Sequence, residues 1–354
     1  MATEEAVSDF VGSRLGGALV TGAGRGLGRE IARALIARGH AVHVTDIDLD
    51  AAERTATELG DCAFASALDV SDEEACRAAA SITALRCGSL AVWVNNAGIL
   101  PLGYAWENDA DERRLTFDVN TFGTINGTLA ALELMRPAGK GHVLNVVSLA
   151  GIVTAPGENL YAATKHASMA FTIGTGLDLK SAGIKGVHVS ALCPDGIWTP
   201  MLHERVDDPR AAASWAGTFL QPEEVANKAM GILDKPKPVT IVPRWRGPLL
   251  RFFDAFPRVS TKLLPVVMAD ARRKQKRWKK QILEWDGRWV EQQKVNKDLA
   301  VQFPPIRKEI ESVKALVRQL GRLQETYGTQ RMQEAQRWLQ ALESSLGDIP
   351  KELK

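Results

Sequence analysis

Cysteine is sparse in this chain, with four among 354 residues, at positions 62, 76, 87 and 193. None forms a CxxC pair or stands at ligand spacing from a histidine. A disulfide scaffold and a structural zinc site are therefore excluded, no metal is expected, and reduced thiols in a reducing compartment fit. Basic residues are missing from Met1–Phe10, which carries three acidic ones and lacks the charged and apolar regions of a secretion signal. A cytoplasmic location is the expectation. No stretch reaches about 18 consecutive apolar residues, the length that a membrane-spanning helix requires. Internal repeats and low-complexity tracts are absent as well.

What is present is ordinary for a folded protein: 45% hydrophobic and 24% charged residues over a length that allows two domains, or one with an appendage. The near-neutral charge, +2, hides an asymmetry. From Ile241 onward 24 basic residues face 13 acidic ones, whereas the preceding part holds 20 basic and 29 acidic. Composition changes in the same region. Up to about residue 242, short apolar runs alternate with amphipathic stretches. Seven strands are predicted near Gly17–Thr21, Ala41–Asp46, Ala63–Leu68, Leu90–Asn95, His142–Val147, Val187–Leu192 and Val239–Val242. The alternation predicts a doubly wound α/β fold with a parallel seven-stranded sheet. Beyond about Asp270 the periodicity is helical: Trp278, Ile282, Trp285 and Trp289, then Ile306 to Leu323, then Trp338 to Leu346. The expectation is a catalytic domain over 1–268 and an extension of about three helices over 269–354.

The first predicted strand runs into Thr21-Gly22-Ala23-Gly24-Arg25-Gly26-Leu27-Gly28, with a helix predicted over Arg29–Arg38. Glycines in such a turn let the backbone approach a pyrophosphate, and the helix N-terminus behind them offers free N–H groups. Asp46 ends the second strand about 20 residues on, where a carboxylate can accept hydrogen bonds from ribose hydroxyls and repel a 2′-phosphate. Asp46 argues for NAD over NADP. Arg25 is the residue in the turn that argues the other way.

Asp69-Val70 follows the third strand, and Asn95-Asn96-Ala97-Gly98 closes the fourth. With Thr21, Gly22, Gly26 and Gly28, these residues resemble the TGxxxGxG and NNAG motifs of the short-chain dehydrogenase/reductase family, in register over about residues 14 to 202. Tyr161 and Lys165 are four apart, which puts both on one face of a helix. A tyrosine of ordinary pKa, about 10, is a poor base at neutral pH, and a neighbouring ammonium is expected to lower that value. Ser148 follows the fifth strand, where its hydroxyl can bond a substrate oxygen, and Asn120 lies upstream. Together they match the family's Asn, Ser, Tyr and Lys tetrad. The resemblance implies that Tyr161 transfers the proton, Ser148 orients the reacting oxygen, Lys165 also binds the nicotinamide ribose, and Asn120 holds a relay water.

The resemblance further implies hydride transfer to or from a nicotinamide cofactor and a homodimer or homotetramer. The cofactor is expected to meet Gly22, Gly24, Arg25, Gly26, Leu27, Gly28, Asp46, Asp69, Val70, Asn96, Ala97, Gly98, Tyr161 and Lys165. Beyond the sixth strand, Pro194, Gly196, Ile197 and Thr199 resemble the family's PGxVxT segment. Asp195 departs from that pattern, and either perturbs the ring's orientation or sits in solvent.

Met201–Gln221 falls where the family places a lid. Its Met201, Leu202, Trp215, Phe219 and Leu220 favour a lipophilic alcohol or ketone, or else pack the lid down. Pro243–Lys280 mixes basic and bulky apolar residues and resembles extended tails of some actinobacterial members. It either covers the active site or a subunit interface with a solvated rim, or contacts an anionic membrane. No nucleic-acid motif accompanies the charge, so no nucleic acid is expected. The activity expected is that of an NAD-dependent alcohol dehydrogenase or carbonyl reductase. One alternative is an NADP-dependent 3-oxoacyl thioester reductase; another is a dinucleotide-regulated interaction protein acting through its basic tail.

Overall fold

The computed structural model describes residues 15–154 and 156–285, with side chains as far as Lys280. The two further helices expected near 306–323 and 338–346 lie outside the described residues, as does the position of Trp289.

Seven strands form one parallel sheet in the order β3-β2-β1-β4-β5-β6-β7. They are β1 (Gly17–Thr21), β2 (Ala41–Asp46), β3 (Ala63–Ala67), β4 (Leu90–Asn95), β5 (Gly141–Val146), β6 (Val187–Pro194) and β7 (Val239–Val242). The order reverses between β1 and β4, so the crevice beyond their carboxyl ends is where a doubly wound sheet opens to a ligand. All seven lie at the expected positions. β6 runs two residues further than expected, because Cys193 and Pro194 pair with Ile241 and Val242.

The strands are apolar on both faces because helices cover both. Val20, Val44, Val94 and Leu144 pack on one side with Ile31 and Leu35 of α1 (Gly26–Ala37) and Val225, Ala229 and Ile232 of α8 (Pro222–Asp234). Leu19, Trp93 and Val143 point the opposite way, against Ala79 of α3 (Glu73–Cys87) and Ala131 and Met135 of α5 (Gly123–Ala138). Alternation of neighbours such as Leu19 and Val20 between the two layers follows from the two-residue period of a strand. α2 (Leu49–Leu59) and α3 start at Asp48 and Asp72, whose carboxylates accept the backbone N–H of Ala51 and Ala75. Such caps stabilise a helix start by about 1 kcal/mol.

Two departures from regular helix shape the crevice. α4 (Ala110–Phe117) passes into α5 through a π-helical turn, Asp118–Phe122, and α6 (Asn159–Ser181) brings Tyr161 and Lys165 to the sheet. After β6 come α7 (Pro200–His203) and a 3₁₀ segment, Pro209–Trp215. Then α9 (Arg246–Ala255) and α10 (Pro257–Trp285) follow β7. α10 passes residue 268 as one helix, with Met268 and Ala271 buried against Ala212.

Candidate active site

A cavity of about 560 Å³ opens at the carboxyl ends of the strands. Of the residues expected to act in catalysis or to meet the cofactor, all line it except Gly24, Gly28 and Asn120; Met201 and Leu202 of the expected lid line it too, whereas Trp215, Phe219 and Leu220 do not.

At one end, the glycine turn is shaped by close approaches. Gly22 has φ 61°, and a Cβ there would lie 2.8 Å from the Ala97 Cα, so a side chain is excluded by both conformation and space. A Cβ on Gly28 would collide with the Gly22 carbonyl. Asn96 fastens the turn to the end of β4: its Nδ2 donates to the carbonyls of Thr21 and Gly22, each at 3.0 Å. The Thr21 hydroxyl accepts the N–H groups of Asn96 and Ala97 at 3.0 Å. Asn95 serves the core instead, donating to Thr128, to the Thr124 carbonyl and to Asn145.

α1 begins after Arg25 with no side-chain cap and no acidic residue in its first turn. Its first N–H groups are thus left to bind an anion in the cavity. Asp46 also lines the cavity. It accepts the Gly24 N–H at 2.9 Å and the Asp48 N–H at 3.1 Å, two of the roughly four bonds that a carboxylate can accept. The remainder suits a pair of ribose hydroxyls. Glycine cradle, uncapped helix start and part-used carboxylate together fit a dinucleotide. Arg25 also lines the cavity, with its Nη1 paired to Glu204 at 3.0 Å. Asp69 accepts from the backbone and hydroxyl of Ser71, and Val70 is buried beside Gly123, whose Cβ would strike it.

At the other end Ser148, Tyr161 and Lys165 converge. Lys165 Nζ lies 5.6 Å from the Tyr161 ring centre and donates to the Val146 carbonyl at 3.1 Å. The Ser148 hydroxyl accepts the Ala150 N–H at 3.0 Å. Electrostatics here differ from the expectation that Lys165 lowers the Tyr161 pKa. Burial is the largest influence and pushes the phenol well above its ordinary value; the Ser148 hydroxyl beside it pulls downward, and the Glu158 charge pushes upward. Burial also lowers the Lys165 ammonium to about 8. The Cys193 thiol is pushed up to about 12 by burial and stays neutral.

Asn120 is fully buried in the π-helical turn. Its Oδ1 accepts the Ile99 N–H at 2.8 Å, and its Nδ2 donates to the Ile99 carbonyl at 2.9 Å and to Thr164 at 3.1 Å. The amide is thus committed to bracing the segment after β4 against α6.

Three further residues of the wall escaped the sequence reading in this role: Glu158, Ser214 and Arg246. Glu158 lies just before α6, buried, accepting the Ser214 N–H at 3.0 Å and hydroxyl at 2.7 Å. Burial pushes its carboxyl up to about 7. An acid three positions before the tyrosine, at a helix start, is the signal that marks it. Asp195 does not sit in solvent. Its side chain is only 9% exposed, pairs with Arg246 of α9 at 3.0 Å, and accepts the N–H groups of Gly196 and Thr218. Ile197 forms a bridge with Leu220, and the Thr199 hydroxyl donates to the Ile197 carbonyl at 3.4 Å.

The segment over the cavity is packed down by aromatic rings. Trp215 is fully buried with the Phe219 ring tilted against it at 5.1 Å, and Trp198 and Trp278 of α10 meet Phe219 edge to face. Gln275 Nε2 donates to the carbonyls of Val206 and Asp208, and Lys279 pairs with Asp207 at 2.7 Å. α9 and α10 therefore cover and brace the site. Among the described residues the four cysteines are free, no cluster of metal-ligating side chains exists, and no helix is long and apolar enough to cross a membrane.

Comparison with known proteins identifies the family. Over 210 residues the chain is 34% identical to a 3-alpha-(or 20-beta)-hydroxysteroid dehydrogenase of Mycobacterium bovis, covering 59% of this chain and 79% of that one. A cyclopentanol dehydrogenase of Comamonas is 32% identical over 220 residues, 60% of this chain and 87% of its own. A short chain dehydrogenase/reductase from Burkholderia phymatum, solved in complex with NAD, superposes with a TM-score of 0.64 at 26% identity, covering 70% of this chain and 96% of that one. The model of the short chain dehydrogenase family matches residues 17–210, more than half of the chain. The chain belongs to the short-chain dehydrogenase/reductase family of oxidoreductases.

Proposed function

We propose that the protein interconverts a lipophilic secondary alcohol and its ketone, with NAD preferred over NADP. The observation that carries this is the convergence of Ser148, Tyr161 and Lys165 at one end of a cavity whose other end presents Asp46 and the uncapped start of α1. Substrates named for relatives, a hydroxysteroid and cyclopentanol, are of the same chemical class.

A nicotinamide dinucleotide, when bound, supplies the hydride acceptor or donor. The turn from Gly22 to Gly28 and the first N–H groups of α1 hold its phosphates. Asp46 takes the ribose hydroxyls, and Asp69, Val70, Asn96, Ala97, Gly98, Pro194, Gly196, Ile197 and Thr199 form the rest of its wall. Ser148 donates a hydrogen bond to the reacting oxygen. Tyr161 accepts the hydroxyl proton during oxidation and returns it during reduction. Lys165, held by the Val146 carbonyl beside the Tyr161 ring, would bind the nicotinamide ribose, and the Ser148 hydroxyl is the group that draws the Tyr161 pKa down. Asn120 keeps α6, and so Tyr161, in register with the segment after β4. The thioester-reductase alternative needs Arg25 to attract a 2′-phosphate, and Arg25 is engaged by Glu204.

Self-association is part of the proposal. Leu115, Phe122, Leu129, Ile173 and Leu177 leave an exposed apolar row on α4 to α6 and the π-helical turn, which supports a homodimer or homotetramer. Titration with NADH and NADPH tests the cofactor reading. Wild type is expected to bind NADH more tightly, and Asp46→Ala to erase that preference. An unchanged preference in the variant overturns the role given to Asp46.

A further inference from the structure

α9 and the first half of α10 present an apolar surface that the other described residues leave exposed. Phe252 and Phe256 are 50% and 52% exposed, Val266 70% and Trp245 59%; Leu263 and Val267 continue the row. Val259, Leu263, Val266 and Val267 recur at helical spacing on one side of α10, while Leu264, Met268 and Ala271 face the 3₁₀ segment on another. An isolated exposed leucine is ordinary, but a contiguous run of this size marks a contact surface.

The charge around the row specifies the contact. Between residues 244 and 269 there are five basic residues and one acidic, Asp254. Arg246 is turned inward to Asp195, and Arg244, Arg251, Arg258 and Lys262 are exposed beside the apolar row. Further along α10, exposed Arg272, Arg273, Lys276 and Arg277 extend the cationic rim. Large apolar side chains flanked by cations, with almost no acids, complement a sheet of anionic headgroups over hydrocarbon.

We infer that α9 and the first half of α10 form a docking surface for an anionic lipid membrane. The same α9 contributes Arg246 and Leu250 to the cavity wall, so its inner edge faces the site and its outer edge the lipid. An alcohol dissolved in the membrane then needs to cross only the rim of this helix to reach Tyr161. This last step rests on the lipophilic substrate proposed above; the docking surface does not.

Co-sedimentation of the full chain with phosphatidylcholine vesicles, with and without phosphatidylglycerol, tests the inference. Binding is expected only to the anionic vesicles and to weaken at high salt. Arg258→Glu with Lys262→Glu, and separately Val266→Glu or Phe256→Glu, are each expected to weaken it by about tenfold or more. NADH binding and turnover in vesicle-free buffer are expected to stay at wild-type levels, which shows that the variants fold. No binding to anionic vesicles overturns the inference, as does binding that these variants leave intact. If Val266→Glu instead lowers the oligomeric mass in solution, the surface joins two copies of the chain and the inference is also overturned. A failure of the proposed activity would show separately, as absent turnover in the wild type.

Discussion

Asp195 and Arg246 meet at 3.0 Å in the cavity wall, with side chains 9% and 17% exposed. The pair joins the loop after β6 to α9, and the carboxylate also holds the N–H groups of Gly196 and Thr218. It couples the covering helix to the wall assigned to the nicotinamide.

Removing the arginine leaves a buried carboxylate without its counter-ion. Arg246→Ala is expected to lower stability by about 3 kcal/mol, and Asp195→Asn added to it should recover much of the loss. Urea denaturation of the two single variants and the double variant checks this; additive losses would contradict the coupling.

Much of this site is legible in the sequence, because its chemistry depends on local spacing. The strand, glycine turn and helix arrive in order, and Tyr161 and Lys165 sit one helical turn apart, so each motif is readable within a few residues. The contributions of Arg246 and Ser214 are not local. Arg246 acquires its role only when α9 folds back over β6, and Ser214 only when the 3₁₀ segment meets Glu158. The pKa of Tyr161 is hidden from the sequence for the same reason: spacing shows the neighbouring ammonium but not the burial that raises the phenol. The π-helical turn that tucks Asn120 inward likewise has no signature in hydrophobic periodicity.

Glu158 makes stability depend on pH. Its carboxyl titrates at about 7 in the fold, against an ordinary 4.5, so the folded state holds the proton more tightly between those values. Stability from this group therefore falls as pH rises from about 4.5 to 7 and stays low above. Glu158→Gln, which keeps an oxygen for Ser214, is expected to be more stable than wild type at pH 8 by on the order of 3 kcal/mol, with no gain at pH 4. Removing the charge also lowers the Tyr161 pKa, moving the rise of oxidation rate to lower pH. Thermal unfolding at the two pH values and a pH–rate profile check both.

Arg25 is restrained by Glu204 across an exposed pair. Glu204→Gln frees the guanidinium, and NADPH affinity is expected to rise by up to about fivefold while NADH affinity changes little. Equal changes for both cofactors would show that Arg25 does not face the 2′ position.

If Tyr161 moves the substrate proton, as proposed, the site binds the cofactor independently of it. The direct measurement is NADH binding, followed by nicotinamide fluorescence, and oxidation of a panel of lipophilic secondary alcohols, both for wild type and Tyr161→Phe. Matching NADH affinity and a loss of turnover in the variant of about 100-fold or more are expected. Turnover retained by Tyr161→Phe would contradict that role of Tyr161.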